Sequence, residues 1–325
     1  MGLPITFDDV LRTREKLRRY LGITPLRRYG VLDEILGCRV LVKHENHQPT
    51  NSFKVRNGLA AVLALSDEQQ RRGVVAATRG NHGLGVAWAG KELGAAVTIC
   101  VPVGNNPEKN EAMAALGAEL IERGETYDES VAVMEQLVAE RGLTAVHSTN
   151  NLAVVAGAGT MTLEILEQAE AMGEKIDAMV FAIGGGSQAV GAMTVVRELR
   201  PEVAVYGAQA ETCNATWESW RAGRAIEKRA GKTIADGVAT GKAYEVTFGA
   251  LREGLADFVL VSEEEIAEAI RVVLRATHNL VEGAGAIGVS AAGKMRERFG
   301  GKTVAVVLSG GNIDVGTLRQ VVCGT

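Results

Sequence analysis

The sequence predicts an α/β protein built on parallel sheets that helices cover on both faces. Three features lead there. Short apolar runs recur at 74–77, 96–101, 118–121, 144–146, 179–183, 203–208, 258–261 and 304–308. Stretches with apolar residues at helical spacing separate them, around 83–93, 107–116, 127–141 and from Asn150 to about Met172. Strands alternating with helices in this way form βαβ units, whose strands pair in parallel. The runs also lack polar alternation, which is the pattern of strands with no solvent-facing side. A chain of 325 residues accommodates two such domains or one large one.

Two helices are expected before the first strand. Thr6 with Asp9 three residues on makes an N-cap. Behind it, Arg12, Arg14, Lys16, Arg18 and Arg19 interleave with Asp8, Asp9 and Glu15, as on the solvated face of an amphipathic helix. The second helix runs from Phe53 to about Leu65, behind Thr50, Asn51 and Ser52. Each of those three side chains can accept from the unpaired amides of a helix start. Ser148 to Asn151 is a candidate boundary between two regular blocks, and the polar stretch from Glu211 to Glu245 is irregular enough to serve as a cover.

Composition excludes several classes of function. With 46% hydrophobic and 23% charged residues the chain has an ordinary globular balance. A net charge of −4 leaves no footprint for nucleic acid. No apolar run has the length of a signal-peptide core or a membrane span. Cys38, Cys100, Cys213 and Cys323 lie far apart with no paired spacing, as reduced thiols of a cytoplasmic protein do. His44 and His47 are the one close histidine pair, and no metal site is expected from them.

Lys54 carries the first chemical signal. A lysine in the first turn of a helix faces the positive end of the dipole, which disfavours its charged form. A neutral amine is what imine chemistry requires. Alone, such a lysine is more often a solvated surface residue.

Three loops that follow predicted strands strengthen the signal, because open parallel sheets bind ligands there. Gly184-Gly185-Gly186-Ser187 leaves a strand and enters a helix, so its amides can converge on an anion such as a phosphate. It has neither the Gly-Lys-Ser/Thr of a nucleotide loop nor the Gly-x-Gly-x-x-Gly spacing of a dinucleotide site. Ser309-Gly310-Gly311-Asn312 offers a hydroxyl and an amide, either for a ligand edge or within an ordinary turn. Thr78-Arg79-Gly80-Asn81-His82-Gly83 offers backbone amides and the Asn81 side chain to a carboxylate. Read by itself, His82 is more simply a satisfied loop histidine than a base.

Six motifs stand in one order: Thr24-Pro25-Leu26, Lys43-x-Glu45-Asn46, Ser52-Phe53-Lys54-x-Arg56, Gly80-Asn81-His82-Gly83, Gly184-Gly185-Gly186-Ser187 and Ser309-Gly310-Gly311-Asn312. In that order they resemble the fold-type II pyridoxal-phosphate enzymes, in the branch of threonine and serine dehydratases and serine racemase. Cysteine synthases and tryptophan synthase β share the fold but differ around the asparagine loop.

The resemblance implies a tryptophan synthase β-like α/β fold of two domains, each with a mostly parallel twisted sheet. Residues 1–65 and 149–325 would form the large cofactor-binding domain and 66–148 the small one. It further implies pyridoxal 5′-phosphate as cofactor, an amino acid as substrate and a homodimer as the assembly. Lys54 would hold the cofactor as an imine and, once displaced by the substrate amine, remove the α-proton. Phe53 would pack beside the cofactor ring, Asn81 would bond its 3′ oxygen and Ser309 would meet its ring nitrogen. The amides of Gly184, Gly185, Gly186 and Ser187 would bind the phosphate. Thr78, Arg79, Gly80 and His82 would grip the substrate carboxylate. A neutral partner at the ring nitrogen suits β-elimination. The implied reaction is dehydration of L-threonine or L-serine to a 2-oxo acid and ammonia.

Departures from the pattern qualify these expectations. Arg79 stands where the racemase has a serine as second acid/base. A guanidinium stays protonated, so racemisation is expected to be weak or absent. Gln209, Cys213 and Ala215 stand where metal-bearing relatives place carboxylates, so no Mg²⁺ or Ca²⁺ is expected. The chain stops soon after its last motif, so the isoleucine-sensing domain of biosynthetic dehydratases is not expected. Two other readings stay open. One is a dehydratase for a bulkier substrate such as 3-phenylserine or 3-hydroxyaspartate, to which Arg79 points, with Trp217 and Trp220 as candidates for an aryl pocket. The other is a catalytically silent binder of a small molecule.

Overall fold

The structure, a computed structural model, describes residues 2–324. Its strands are β1 (Leu26–Arg28), β2 (Arg39–Lys43), β3 (Val74–Ala77), β4 (Val97–Val101), β5 (Glu119–Glu122), β6 (Thr144–Ala145), β7 (Ala178–Ala182), β8 (Ala204–Ala210), β9 (Asp257–Val261) and β10 (Thr303–Val307). They form a six-stranded sheet in the order β1-β2-β10-β7-β8-β9 and a four-stranded sheet in the order β5-β4-β3-β6. Every pairing is parallel except β1 with β2. The fold is therefore the α/β architecture that the alternating pattern implied.

Period-two geometry explains why the strands read as continuous apolar runs. In β7, Ala178, Val180 and Ala182 join one buried cluster while Met179 and Phe181 join another on the opposite face. β10 divides the same way, Val304 and Val306 against Ala305 and Val307. Both faces are dry, so neither set can be polar. No helix among the described residues is long and apolar enough to cross a membrane.

Boundaries move by one or two residues from expectation, and two strands had no sequence signal. β1 has three residues, two of them exposed arginines. β2 is central but begins and ends on Arg39 and Lys43, so charge masks a buried strand. Lys43 is buried because Nζ meets Glu164 Oε2 at 2.7 Å and the Thr24 carbonyl at 2.7 Å. Next to it, Arg56 Nε donates to Glu45 Oε2 at 2.8 Å and Nη1 to Glu164 Oε1 at 2.7 Å. This buried network ties β2 to the helices Lys54–Leu63 and Leu152–Ala171.

The start of Lys54–Leu63 differs from the expected cap. Among Thr50, Asn51 and Ser52, only Ser52 accepts from the helix, taking the Lys54 amide on Oγ. Asn51 sits at φ 51° with its amide on Asn312, and Thr50 reaches the Ser52 carbonyl. The helix then crosses Asn81–Leu93 backbone to backbone. A Cβ on Gly58 would lie 2.4 Å from Gly85 C, and one on Gly85 would lie 2.3 Å from the Lys54 carbonyl oxygen. The same close approach recurs where a Cβ on Gly157 would come within 2.6 Å of the Arg56 carbonyl oxygen.

Candidate active site

Three helix starts converge on one cavity. Lys54–Leu63 brings Phe53 and Lys54, Asn81–Leu93 brings Thr78 to Gly80 ahead of its first turn and Asn81 and His82 within it, and Ser187–Leu199 brings Gly184 to Ser187. Ser309, just beyond β10, joins them. Every site residue expected from the sequence therefore lines the same cavity.

Lys54 is half-buried, with Nζ 5.0 Å from the centre of the Phe53 ring. Burial pulls its amine down to about 8, against the opposing pull of Glu282. The glycine loop is shaped by close contact and by hydrogen bonds to its carbonyls, Thr247 Oγ1 donating to the Gly185 carbonyl at 2.6 Å and Thr216 Oγ1 to the Gly184 carbonyl at 3.4 Å. Gly186 caps its helix at φ 87° with no side-chain cap, and a Cβ on Gly185 would lie 1.9 Å from Thr149 Oγ1. Among the described residues, the amides from Gly184 to Ser187 meet no acceptor, as the first turn of a helix dictates. Ser187 Oγ lies beside Asn57 Nδ2 at 3.4 Å.

The asparagine loop is held from several sides. Thr78 Oγ1 accepts from the Gly80 amide at 2.9 Å and the Gly83 amide at 3.4 Å. The amide group of Asn81 donates to Glu282 Oε1, while Asn81 Oδ1 accepts from Asn312 Nδ2 at 2.8 Å. Buried His82 has Nε2 at 2.9 Å from the Val146 carbonyl, so that nitrogen must carry the proton. Burial, reinforced by Lys54, pushes the ring down to about 3. Neutral His82 thus presents Nδ1 as an acceptor and has no side-chain proton to offer a carboxylate. Its backbone amide meets no acceptor among the described residues. Arg79 lines the cavity from its exposed mouth. Ser309 is buried, and its carbonyl takes the Phe53 amide at 3.0 Å and the Ser52 hydroxyl at 3.1 Å.

A charged cluster on the opposite wall has no counterpart among the sequence expectations. Lys109 Nζ lies 2.6 Å from Asp236 Oδ2 and 3.8 Å from Glu282 Oε2. Burial pushes the Glu282 carboxyl up to about 7, with Lys109 opposing and Asp236 adding to the rise. These residues are 127 and 46 positions apart, so no local spacing links them. The irregular segment does act as a cover, contributing Asp236 to Thr240 and Tyr244 to the wall.

Trp217 and Trp220 do not serve an aryl pocket. Trp217 Nε1 donates to the Phe258 carbonyl at 2.8 Å, the Trp220 ring packs on Phe258, and both join the core outside the cavity. Gln209 and Cys213 are also engaged internally. Gln209 Oε1 accepts the Trp217 amide at 3.1 Å, and the Cys213 thiol donates to the Gly231 carbonyl at 3.2 Å.

The wall fits a phosphate-bearing aromatic aldehyde. It combines an amide-only anion cradle, an amine of lowered basicity, the Phe53 ring, and hydroxyl and amide donors at Ser309 and Asn81. Comparison with known proteins agrees. Residues 17–310 match the family described as pyridoxal-phosphate dependent enzyme. The L-threonine ammonia-lyase of Thermotoga maritima is 36% identical over 98% of this chain and 78% of its own. The crystal structure of the T.th. threonine deaminase superposes with a TM-score of 0.90 at 36% identity, covering 95% of this chain and 99% of that one. Maize serine racemase gives a TM-score of 0.92 at 27% identity over 99% and 98%. With one cavity that accommodates the cofactor and relatives that match nearly end to end, the chain belongs to the pyridoxal-phosphate dependent enzymes, in their threonine dehydratase and serine racemase branch.

Proposed function

We propose that this carbon–nitrogen lyase dehydrates a β-hydroxy amino acid, L-threonine or L-serine, to a 2-oxo acid and ammonia. The convergence of Lys54, the glycine loop and the Asn81 and His82 amides on one cavity carries this reading.

Each residue has a part that its environment supports. Pyridoxal phosphate, when bound, supplies an electron sink that stabilises negative charge at the substrate α-carbon. The amides from Gly184 to Ser187 and the Ser187 hydroxyl would hold its phosphate, with Ser309 and Asn81 as the side chains available to its ring nitrogen and its 3′ oxygen. The free amides at the start of Asn81–Leu93 hold the substrate carboxylate. Lys54, with its amine near 8, accepts the α-proton at Nζ. The α-hydrogen and β-hydroxyl leave as water, and hydrolysis of the resulting enamine releases ammonia. A guanidinium is a poor base, so with Arg79 at this position racemisation is expected to be weak or absent.

The division of the chain follows from the same reading. Residues 1–65 and 149–325 form the cofactor-binding domain, and 66–148 form a small domain that brings the Asn81 loop to it. The two separate sheets support that division. The protein works as a cytoplasmic homodimer; its unpaired cysteines support the compartment.

Purified holoenzyme assayed with L-threonine and L-serine is expected to release 2-oxo acid and ammonia in equal amounts. Lys54→Ala is expected to abolish release by at least roughly 1,000-fold. Absence of product from every β-hydroxy amino acid, with the cofactor's absorbance band present, sinks the reading.

A further inference from the structure

We infer that Asn312 and Glu282 are positioning residues that fix the orientation of the Asn81 amide, so that Asn81 offers the cofactor's 3′ oxygen a hydrogen-bond donor. This deepens the reading above, on which it rests for the place of Asn81 beside that oxygen.

An asparagine side chain turned over exchanges its donor for its acceptor with almost no change of shape, so its partners must choose between the two. Here the choice begins at a backbone carbonyl. Asn312 Nδ2 donates to the Thr50 carbonyl at 2.9 Å and to Asn81 Oδ1 at 2.8 Å, which uses both of its hydrogens. A carbonyl can only accept, so Asn312 must keep Nδ2 on that side. Asn51 Nδ2 donates to Asn312 Oδ1 at 3.2 Å and supports the same orientation. Asn81 must then turn Oδ1 to Asn312 and Nδ2 away from it. On the far side, Glu282 Oε1 accepts from Asn81 Nδ2. Turned over, Asn81 would set donor against donor at Asn312 and acceptor against acceptor at Glu282. One Nδ2 hydrogen is left over, and Asn81 lines the cavity.

The turn from Ser309 to Asn312 lets this chain of bonds form. Glu282 is buried, and its amide donates to the Gly310 carbonyl at 3.0 Å. A Cβ on Gly310 would lie 2.3 Å from Glu282 Oε1 and 3.1 Å from Asn81 Nδ2, so the carboxyl reaches the amide only past a glycine. The Gly311 amide donates to the Asn51 carbonyl at 2.8 Å, which ties the other end. Glu282 Oε2 has no hydrogen-bond partner among the described residues. A proton on this carboxyl can therefore sit on Oε2 and leave Oε1 to accept, and the orientation holds in either charge state.

A donor at the 3′ oxygen favours its ionised form, whereas an acceptor favours its protonated form. The two forms absorb in separate bands, the protonated one at shorter wavelength. The test records these bands at one pH, with cofactor affinity by titration and stability by urea unfolding. The proteins are the wild type, Asn81→Ala, Asn312→Asp, Glu282→Gln and the double variant Asn312→Asp/Glu282→Gln. The carboxylate of Asn312→Asp can only accept, so it turns Asn81 over. Its absorbance should move to the shorter-wavelength band and its affinity should fall roughly tenfold, the weight of one hydrogen bond to a charged oxygen. Glu282→Gln keeps an oxygen for Asn81 Nδ2 and should keep the wild-type bands. In the double variant the glutamine can donate to the overturned Asn81. Part of the stability lost in Asn312→Asp should then return while the bands stay shifted. A folded Asn312→Asp with wild-type bands and affinity overturns the inference, as do wild-type bands in Asn81→Ala or in the double variant. If the band shifts appear but the wild type releases no 2-oxo acid from any β-hydroxy amino acid, the dehydratase reading fails and the positioning role stands.

Discussion

Lys109 Nζ lies 2.6 Å from Asp236 Oδ2, joining the helix Pro107–Ala115 to the cover segment across the cavity. Lys109 packs on the four-stranded sheet's side and Asp236 on the other, so this ion pair spans the two halves of the site. Its stem also crosses the asparagine loop, because a Cβ on Gly80 would lie 2.5 Å from Lys109 Cδ.

Removing that ammonium leaves Asp236 and Glu282 facing each other. Lys109→Met is expected to cost about 1–3 kcal/mol of stability and to lower kcat/KM roughly tenfold. Urea unfolding and steady-state kinetics check both numbers. An unchanged kcat/KM in the folded variant means that the bridge does not organise the site.

Glu282 makes stability depend on pH. Its carboxyl rises from 4.5 to about 7 in the fold, so the fold favours the protonated form. That contribution is fully present below about pH 4.5 and is lost as pH rises through about 7. Glu282→Gln cannot ionise, so its stability should fall less than the wild type's between pH 5 and pH 8. Parallel unfolding curves for the two proteins across that range rule the effect out.

The buried network around Arg56 is a structural counterpart. Arg56→Met leaves Glu45 and Glu164 without their guanidinium, and breaking such a pair costs about 3–5 kcal/mol. Thermal unfolding should show a large loss. A shift equal to that of an exposed Arg→Met substitution contradicts the assignment.

Gly185→Ala tests the anion cradle. Its Cβ would lie 1.9 Å from Thr149 Oγ1, so the loop must shift. Pyridoxal phosphate affinity is expected to fall at least roughly tenfold, with about 1–3 kcal/mol of stability lost to overpacking. Cofactor titration by absorbance measures the first. Wild-type affinity in the variant would exclude a cradle at this turn.

Whatever is local in this fold is legible in the sequence. Helical spacing places Lys54 at a helix start, and consecutive glycines mark the turn at 184–186, because both depend on neighbours in the chain. β2 is hidden because Lys43 is compensated by Thr24 and Glu164, which lie far away in sequence, while Arg39 stays exposed and pairs with Glu174. Lys109, Asp236 and Glu282 are hidden for the same reason: their chemistry exists only once the helix Pro107–Ala115, the turn Asp236–Val238 and the start of the helix Gly283–Lys294 meet at one cavity. The cap expected of Thr50 and Asn51 does not form because both residues serve the Ser309–Asn312 turn rather than the helix. His82 departs from a satisfied loop histidine: it lies in the first turn of Asn81–Leu93, bonds the Val146 carbonyl through Nε2 and leaves buried Nδ1 without a partner among the described residues.

The glycine crossings have one more consequence. Gly58, Gly85 and Gly157 bring the backbone of the helix that bears Lys54 directly onto its neighbours, at points with no room for a side chain. A methyl group there would act as grit, displacing the Lys54 backbone while leaving every reactive group chemically intact. A mutational survey of this enzyme would then record some of its most severe distant losses at residues that have no side chain to lose.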